Sequence, residues 1–378
     1  MMTARGLDAG QRFILAAKTW WTSSLYSRVR EEYEARAGEQ AASHSVEDVA
    51  EILEDLTLYK YFAWFERHLQ KMKYSGAYGL ARFYDEQREG VLSQLEAVAP
   101  YDEMLELKPD LSLPAYYTNV DIHQHPGGVW SNEVAGFVYE HGARSTTPLL
   151  GQAHADLHVR FTAMIAREGR PEKVLDMGCG FGKSTQPFIA TFPEAHVEAI
   201  DLSAPCLRLA ASTAREQGAK NVRFRQRDAA ETGFEDASFD LVTSTMLLHE
   251  TPPQPLDRLL GEAYRVLEPG GRMVHLDFYY LPDAFARFMH YGHGRRNNEP
   301  YMQPVAELDL PKLLRRHGFE DIKIEPFREA DDLGPERKDV WRLPWTVISA
   351  RKPNDKRSGE HAAPGAAALS RKPHIASE

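Results

Sequence analysis

A short apolar run at 174–177 leads directly into a turn that has glycine at every second position, at Gly178, Gly180 and Gly182. A strand that enters a glycine-rich turn and continues into a helix is typical of the first β-turn-α unit of a doubly wound sheet. Glycine permits positive φ angles and lets a ligand lie against bare peptide, while the helix offers unpaired N–H groups to an anionic part of that ligand. The segment therefore predicts a ligand-binding turn.

Two of the three nucleotide-type turns that resemble this segment are excluded by single residues. The dinucleotide fingerprint G-x-G-x-x-G needs glycine at position 183, where the chain has Lys183. The phosphate loop G-x-x-x-x-G-K-S/T needs glycine at position 177, where the chain has Met177. The pattern that fits completely is Asp-x-Gly-x-Gly-x-Gly, from Asp176 to Gly182. In this form the turn resembles the first motif of class I S-adenosylmethionine (SAM)-dependent methyltransferases, whose glycines hold the methionyl end of SAM.

Acidic residues after the next two predicted strands extend the resemblance. Asp201 follows an apolar run at 195–200, and a carboxylate there can accept hydrogen bonds from both hydroxyls of a ribose. Asp228 ends a predicted third strand and matches the position that meets the adenine amino group in the family. Segments 239–244 and 264–274 are similar to the family's fourth strand and its helix-turn-strand five.

The resemblance implies an α/β fold, a doubly wound, seven-stranded Rossmann-like methyltransferase sheet with an N-terminal helical accessory domain. It implies SAM as the cofactor and methyl transfer to carbon, oxygen or nitrogen of a small organic metabolite. A SAM-dependent cyclase or pericyclase and a SAM-binding scaffold without chemistry stay open as alternatives. The implied cofactor-binding residues are Asp176, Gly178, Gly180, Gly182, Asp201, Leu202, Asp228 and Ala229.

Composition divides the chain into four segments. Residues 1–110 are poor in glycine and proline, with apolar residues at helical spacing and a capping box at Ser45, so we expect a helical accessory domain that forms a lid or a homodimer interface. Residues 111–150 are rich in aromatic side chains, histidine and proline and predict a connecting lid. Residues 151–352 form the predicted methyltransferase domain, and residues 353–378 a disordered tail.

The predicted lid supplies two site candidates. An aromatic ring beside the SAM sulfonium would favour the cation, and Tyr117 or its neighbour Tyr116 is the expected source. We expect segment 116–130 to fold over the methyl group and to complete the acceptor pocket, with His125 contributing. A purely structural crossover between two domains is the alternative for this segment.

His249 is the leading candidate for a catalytic base, because it follows the fourth strand and imidazole titrates near neutral pH. A base helps where the acceptor must lose a proton, and Tyr279 after strand five is the second candidate. Packing near the cofactor is the alternative for both side chains. The pairs His123/His125 and His154/His158 suggest a metal, and the second pair resembles half of a zinc site, but no Cys or Glu cluster completes it, so no metal is predicted.

The net charge and the number of cysteines limit which binding partners and which cell compartment the sequence predicts. The 378 residues have a formal net charge of −10, which argues against binding to a phosphate backbone. We expect no disulfide framework from two cysteines, and neither a membrane span nor a secretion leader is visible, so a cytoplasmic protein with a small-molecule substrate is expected.

Overall fold

The computed structural model describes residues 4–98, 103–145 and 151–354, except for the side chains of residues 4, 97–98, 144–145 and 151–156. Apart from its first two residues, the predicted disordered tail at 353–378 lies outside the described residues. So does the side chain of His154, one half of the second histidine pair.

The first part of the chain is helical, as predicted. Its helices are α1 (Ala4–Trp20), α2 (Tyr26–Ala37), α3 (Val46–Asp55), α4 (Thr57–Tyr74), α5 (Leu80–Glu86) and α6 (Arg88–Val98). A π-helical turn at Trp21–Leu25 joins α1 to α2, so the two helices form one continuous helical run. The capping box is present, because the Ser45 side chain accepts from the Asp48 N–H while the Asp48 side chain accepts from the Ser45 N–H.

The second part of the chain alternates strands and helices. The strands are β1 (Leu105–Glu106), β2 (Lys173–Met177), β3 (His196–Asp201), β4 (Val222–Gln226), β5 (Phe239–Thr245), β6 (Leu267–Phe278), β7 (Glu320–Pro326) and β8 (Trp345–Arg351). The helices are α7 (Ala115–Thr118), α8 (Ala135–Ser145), α9 (Gly151–Arg167), α10 (Thr185–Thr191), α11 (Ala204–Glu216), α12 (Pro253–Val266), α13 (Ala284–Asn297), α14 (Met302–Ala306) and α15 (Leu310–Arg316).

The strands form one sheet in the order β1-β4-β3-β2-β5-β6-β8-β7. All neighbours are parallel except β8, which runs antiparallel to both β6 and β7. Seven of these strands are the predicted doubly wound sheet, and its strand order reverses next to β2, where the glycine turn lies.

The eighth strand differs from the expectation, because β1 comes from the segment assigned to the helical accessory domain. Leu105 and Glu106 pair in parallel with Phe224 and Arg225 at the edge of the sheet. The Glu106 carboxylate forms ion pairs with Arg225 and Arg227, which hold the short strand in place. A two-residue strand has no periodicity, so the sequence pattern could not indicate it.

The N-terminal helices share a hydrophobic core with the insertion that follows β6. Phe62 of α4 and Val29 of α2 are buried in the same cluster as Phe288 and Met289 of α13. The Trp341 side chain joins this cluster, and its backbone N–H donates to the Thr22 carbonyl at 2.7 Å. The helical part is therefore fastened to the sheet by the insertion and by the segment before β8.

Candidate active site

The glycine turn has the backbone conformation that its residues require. Gly178, Gly180 and Gly182 have φ angles of 68°, 53° and 83°, in the left-handed region that other residues avoid. A Cβ at position 178 would lie 2.8 Å from the Leu247 side chain, and one at position 182 would lie 3.0 Å from Ala210. The glycine turn thus packs closely between Leu247, which follows β5, and Ala210 of α11.

Asp176 stabilises this turn through hydrogen bonds to its carboxylate. Its Oδ2 accepts from the hydroxyls of Ser184 and Thr185 at 2.9 and 2.7 Å, which ties β2 to the start of α10. The carboxyl group is fully buried, and burial raises its pKa to about 6 against the two hydroxyl hydrogen bonds. Neither Asp176 nor Gly182 lines the adjoining cavity, so their part is to shape the turn.

Asp201 lies at the tip of β3, beside the turn. Its Oδ2 accepts from the Gly180 N–H at 2.8 Å and its Oδ1 from the Ser203 N–H at 2.7 Å. Each carboxylate oxygen can accept a second hydrogen bond, so two acceptor positions stay available for a ligand. Burial raises the pKa of Asp201 to about 6, opposed by these backbone N–H groups. Asp228, after β4, is held by the Ala230 N–H at 2.8 Å.

These groups surround a first cavity of about 1140 Å³, part of it open to solvent. Seven of the predicted cofactor-binding residues line it, together with further residues of the turn, the predicted lid and the segment after β5. The predicted residues are Gly178, Gly180, Asp201, Leu202, Asp228, Ala229 and Tyr117, and the further ones include Phe181, Tyr116, Ile122, Tyr139, Met246 and Leu247. The Tyr117 hydroxyl is buried without a hydrogen-bond partner among the described residues, so it is available to a ligand.

A second cavity, of about 1090 Å³, adjoins the first. Its wall comes from α1, α4, α13 and the segment before β8, and it includes the side chains of Trp21, Tyr74, Phe278, Trp341 and Trp345. The two cavities share five lining residues, which are His123, Tyr139, Ala143, Met246 and Glu250. A ligand in one would therefore lie next to a ligand in the other.

His249 lines the second cavity and is oriented by Asp277. Its Nδ1 lies 2.6 Å from Asp277 Oδ1, while its Nε2 lies 3.9 Å from carboxylate oxygens of both Glu250 and Glu299. Asp277 is itself fixed by the N–H groups of Leu248 and Phe278, each at 2.7 Å. Burial disfavours a charged imidazole, but the surrounding carboxylates, Asp277 foremost, raise the pKa of His249 above its usual value.

His123 bridges the two cavities, although the sequence favoured its neighbour His125. Its two ring nitrogens each lie 3.0 Å from a carboxylate, of Glu250 and of Glu299. Burial opposes the charge, yet this pair of carboxylates raises the pKa of His123 to about 10. Its φ of 55° is uncommon for a residue with a side chain, and such strain clusters at functional sites.

The other two catalytic candidates lie outside both cavity walls. His125 is buried behind the lid, edge-on to Tyr74 with ring centroids 5.1 Å apart, and burial lowers its pKa to about 4. The Tyr279 hydroxyl donates to the Leu308 carbonyl at 2.6 Å. Seven of the predicted cofactor-binding residues, Tyr117 among them, thus line the first cavity and His249 lines the second, whereas His125 and Tyr279 line neither.

Sequence reasoning also missed the carboxylates that surround the histidines. Glu299 meets His123 across 176 residues of chain, so no local spacing could indicate the contact. Glu250 is adjacent to His249 in the sequence, and an acidic residue beside a candidate base was the one available signal.

Among the described residues no group of three or more His, Cys, Asp or Glu is placed to hold a metal ion. In that same part of the chain no helix is long and apolar enough to cross a membrane.

The glycine turn, the acidic strand tips and the strand order together define a nucleotide-type site on a doubly wound sheet. Residues 174–271 match the family described as a methyltransferase domain. The chain carries a class I SAM-dependent methyltransferase domain, and SAM is the cofactor of that class.

Named relatives agree on this class and differ in what they methylate. The chain is 37% identical over 125 residues to a demethylmenaquinone methyltransferase of Thermus thermophilus, covering 33% of this chain and 56% of that protein. It is 29% identical over 194 residues to an arsenite methyltransferase of Aquipseudomonas alcaligenes, covering 47% and 53%. It is 33% identical over 167 residues to an O-methyltransferase of Penicillium expansum, covering 42% and 55%. The chain thus spans little more than half the length of these three proteins.

Proposed function

We propose that the protein transfers the methyl group of SAM to a small organic molecule that binds in the second cavity. The observation that supports this most is the contact between the two cavities, which share five lining residues between the glycine turn and His249. Methyl transfer needs donor and acceptor side by side, and this arrangement provides two adjoining sites.

The first cavity fits SAM. The glycine turn leaves room for the methionyl end, the acceptor positions on Asp201 suit the ribose hydroxyls, and Asp228, which also lines the cavity, is assigned to the adenine amino group by the family resemblance. When bound, SAM supplies a sulfonium-activated methyl group, so the protein's own task is to orient the acceptor and exclude water.

The predicted lid contributes directly to this site. Tyr117 lines the first cavity and its hydroxyl lacks a partner among the described residues, Ile122 lines the same cavity, and His123 lies at the junction of the two. An aromatic ring near a sulfonium would stabilise the cation by up to about 2 kcal/mol if desolvated. We assign Tyr117, rather than His125, the part of lid residue in contact with the ligand.

His249 is the proposed base. With its Nδ1–H donated to Asp277, its Nε2 faces the second cavity and can accept a proton from an acidic hydroxyl, amine or carbon. The relatives are a demethylmenaquinone methyltransferase, an arsenite methyltransferase and an O-methyltransferase. They support small-molecule methylation but do not determine which atom accepts the methyl group.

The test is incubation of the protein with SAM and a metabolite extract, followed by mass spectrometry of the nucleoside products. Methyl transfer yields S-adenosylhomocysteine and a product in which a methyl group replaces a hydrogen, so that its mass increases by one CH2. Release of methylthioadenosine, by displacement within SAM itself, would instead identify a non-methylating enzyme. A His249→Ala variant should lower turnover with little change in SAM affinity, because His249 is not assigned to the cofactor.

A further inference from the structure

Two lysines are buried in the wall of the second cavity, far from the usual surface position of this residue. Lys18 of α1 and Lys73 of α4 have exposed fractions of 9% and 5%. Lysine is almost never buried to this degree unless it is paired. The Lys18 ammonium donates to Gln70 Oε1 at 2.7 Å, and that of Lys73 lies 4.7 Å from the Tyr74 ring centroid. Both partners are uncharged.

The carboxylates that line the same cavity are already paired with cations. Glu250 and Glu299 each bind His123 at 3.0 Å, and Glu329 binds the Arg342 guanidinium. Neither lysine forms an ion pair with a described residue. Glu250 and Glu299 share one cation, so Lys18, Lys73, His123 and Arg342 stand against three carboxylates and the wall has one positive charge in excess. An excess of buried positive charge attracts an anion.

The pKa values of the two lysines stay lowered although a carboxylate attracts each of them, Glu66 for Lys18 and Glu299 for Lys73. Burial lowers the pKa of Lys18 to about 8. Burial, together with repulsion from Lys18, lowers the pKa of Lys73 well below its ordinary value. An anion bound beside them would stabilise the ammonium form and reverse both shifts.

The remainder of the wall is aromatic. Trp21, Tyr74, Phe278, Trp341 and Trp345 face the cavity, so its surface suits a flat apolar body. The lysines lie on the N-terminal helices, whereas His249 and Met246 lie on the segment after β5. One region of the cavity is thus suited to an anchoring charge and another to the reacting atom.

We propose that the methyl acceptor is an aromatic molecule with an anionic group, a carboxylate or a phosphate, that pairs with Lys18 and Lys73. This inference rests on the proposed function, since it assigns the chemical class of the acceptor. It also gives the N-terminal helices a task in substrate recognition.

The test compares three probes that share one ring system, 1-naphthoate, 1-naphthyl phosphate and the uncharged 1-naphthamide. Calorimetry on the full chain at pH 7, with S-adenosylhomocysteine present, should show at least one anion binding about tenfold or more tightly than the amide. The tighter of the two anions identifies the group. Lys18→Met and Lys73→Met should each reduce this preference. The control is Lys71→Met, because Lys71 is exposed and lies on α4 like Lys73, so this substitution should leave the preference unchanged.

Equal binding of all three probes to the unmodified protein, or no binding of either anion, would overturn the inference, and this comparison needs no variant to fold. A preference that persists in both cavity variants would overturn it as well. The proposed function fails separately: a protein that prefers the anions but makes no S-adenosylhomocysteine from SAM would keep the anion site and lose the methyltransferase assignment.

Discussion

At the scale of single residues, Asp201 determines whether the first cavity can hold a ribose. Both oxygens of its buried carboxylate accept a backbone N–H, which aims their remaining lone pairs in fixed directions. Asp201→Ala should weaken SAM binding about tenfold or more, because a lost hydrogen bond to a charged group is worth about 1.5–3 kcal/mol. Calorimetry with SAM measures this, and the exposed Asp110→Ala variant is the control. Unchanged affinity in a folded Asp201→Ala protein would remove Asp201 from the SAM site.

The pair His249–Asp277 leads to a prediction about pH. A base works when neutral, so turnover should rise with pH through the pKa of His249, which lies above the usual value for histidine. Asp277→Asn removes the carboxylate that most raises this pKa. The acidic limb of the pH–rate profile should therefore move to lower pH, and turnover should fall because the ring is less firmly oriented.

The profile is measured with a verified acceptor and saturating SAM, and thermal unfolding shows whether the variant folds. An acidic limb that stays in place in Asp277→Asn would mean that another group limits the rate. His249→Ala should then retain the acidic limb too, and this result would show that His249 packs in the protein and does not act as the base.

At the scale of elements, we expect glycine-to-alanine substitutions to have opposite effects on stability in the glycine turn and in the helix α6. Gly182→Ala places a side chain at φ 83° and 3.0 Å from Ala210, so it should destabilise the fold by at least about 1–2 kcal/mol. Gly90→Ala, within α6 and with no atom in contact, should stabilise it by about 0.5–1 kcal/mol. Urea unfolding gives both values, and a neutral Gly182→Ala would show that the turn adapts.

The sequence predicted those elements whose signal is local. The sheet could be predicted because β2 runs directly into the glycine turn and β3 ends at Asp201, and the capping box at Ser45 was confirmed because its two partners are three residues apart. The pairing of β1 with β4, and the contact of His123 with Glu299, depend on chain segments that meet only after folding. The second of these contacts lies in the wall of the second cavity, which is why the sequence selected His125 where the structure places His123.

At the scale of the whole molecule, an exposed aromatic surface on α4 bears on the predicted homodimer. Tyr61 and Trp64 are 57% and 53% exposed, and Trp20 of α1, next to them through Phe65, is 47% exposed. Aromatic side chains grouped in this way are typical of protein interfaces. We predict self-association through this surface, so Trp64→Glu should shift sedimentation towards the monomer. Identical sedimentation of both proteins as monomers would contradict the homodimer.

The N-terminal helices and the sheet should unfold together. Phe288 of α13 is 3% exposed and packs against Tyr59 of α4, with ring centroids 5.3 Å apart, inside the core that the two parts share. Phe288→Ala should cost about 3–5 kcal/mol, as expected for a large aromatic residue removed from a core. Because the lost contact joins the two parts, both should lose stability equally.

Tryptophan fluorescence follows six side chains, of which Trp21 and Trp341 lie in the shared core, and far-ultraviolet circular dichroism follows the whole chain. The two transitions should coincide in the unmodified protein and in Phe288→Ala, as they do in a two-state unfolding reaction. Phe13→Ala, at a position that is 60% exposed, should change stability by no more than about 0.5 kcal/mol. An earlier fluorescence transition would mean that the helices unfold alone, and the acceptor cavity would then be a closable part of the protein rather than a rigid one.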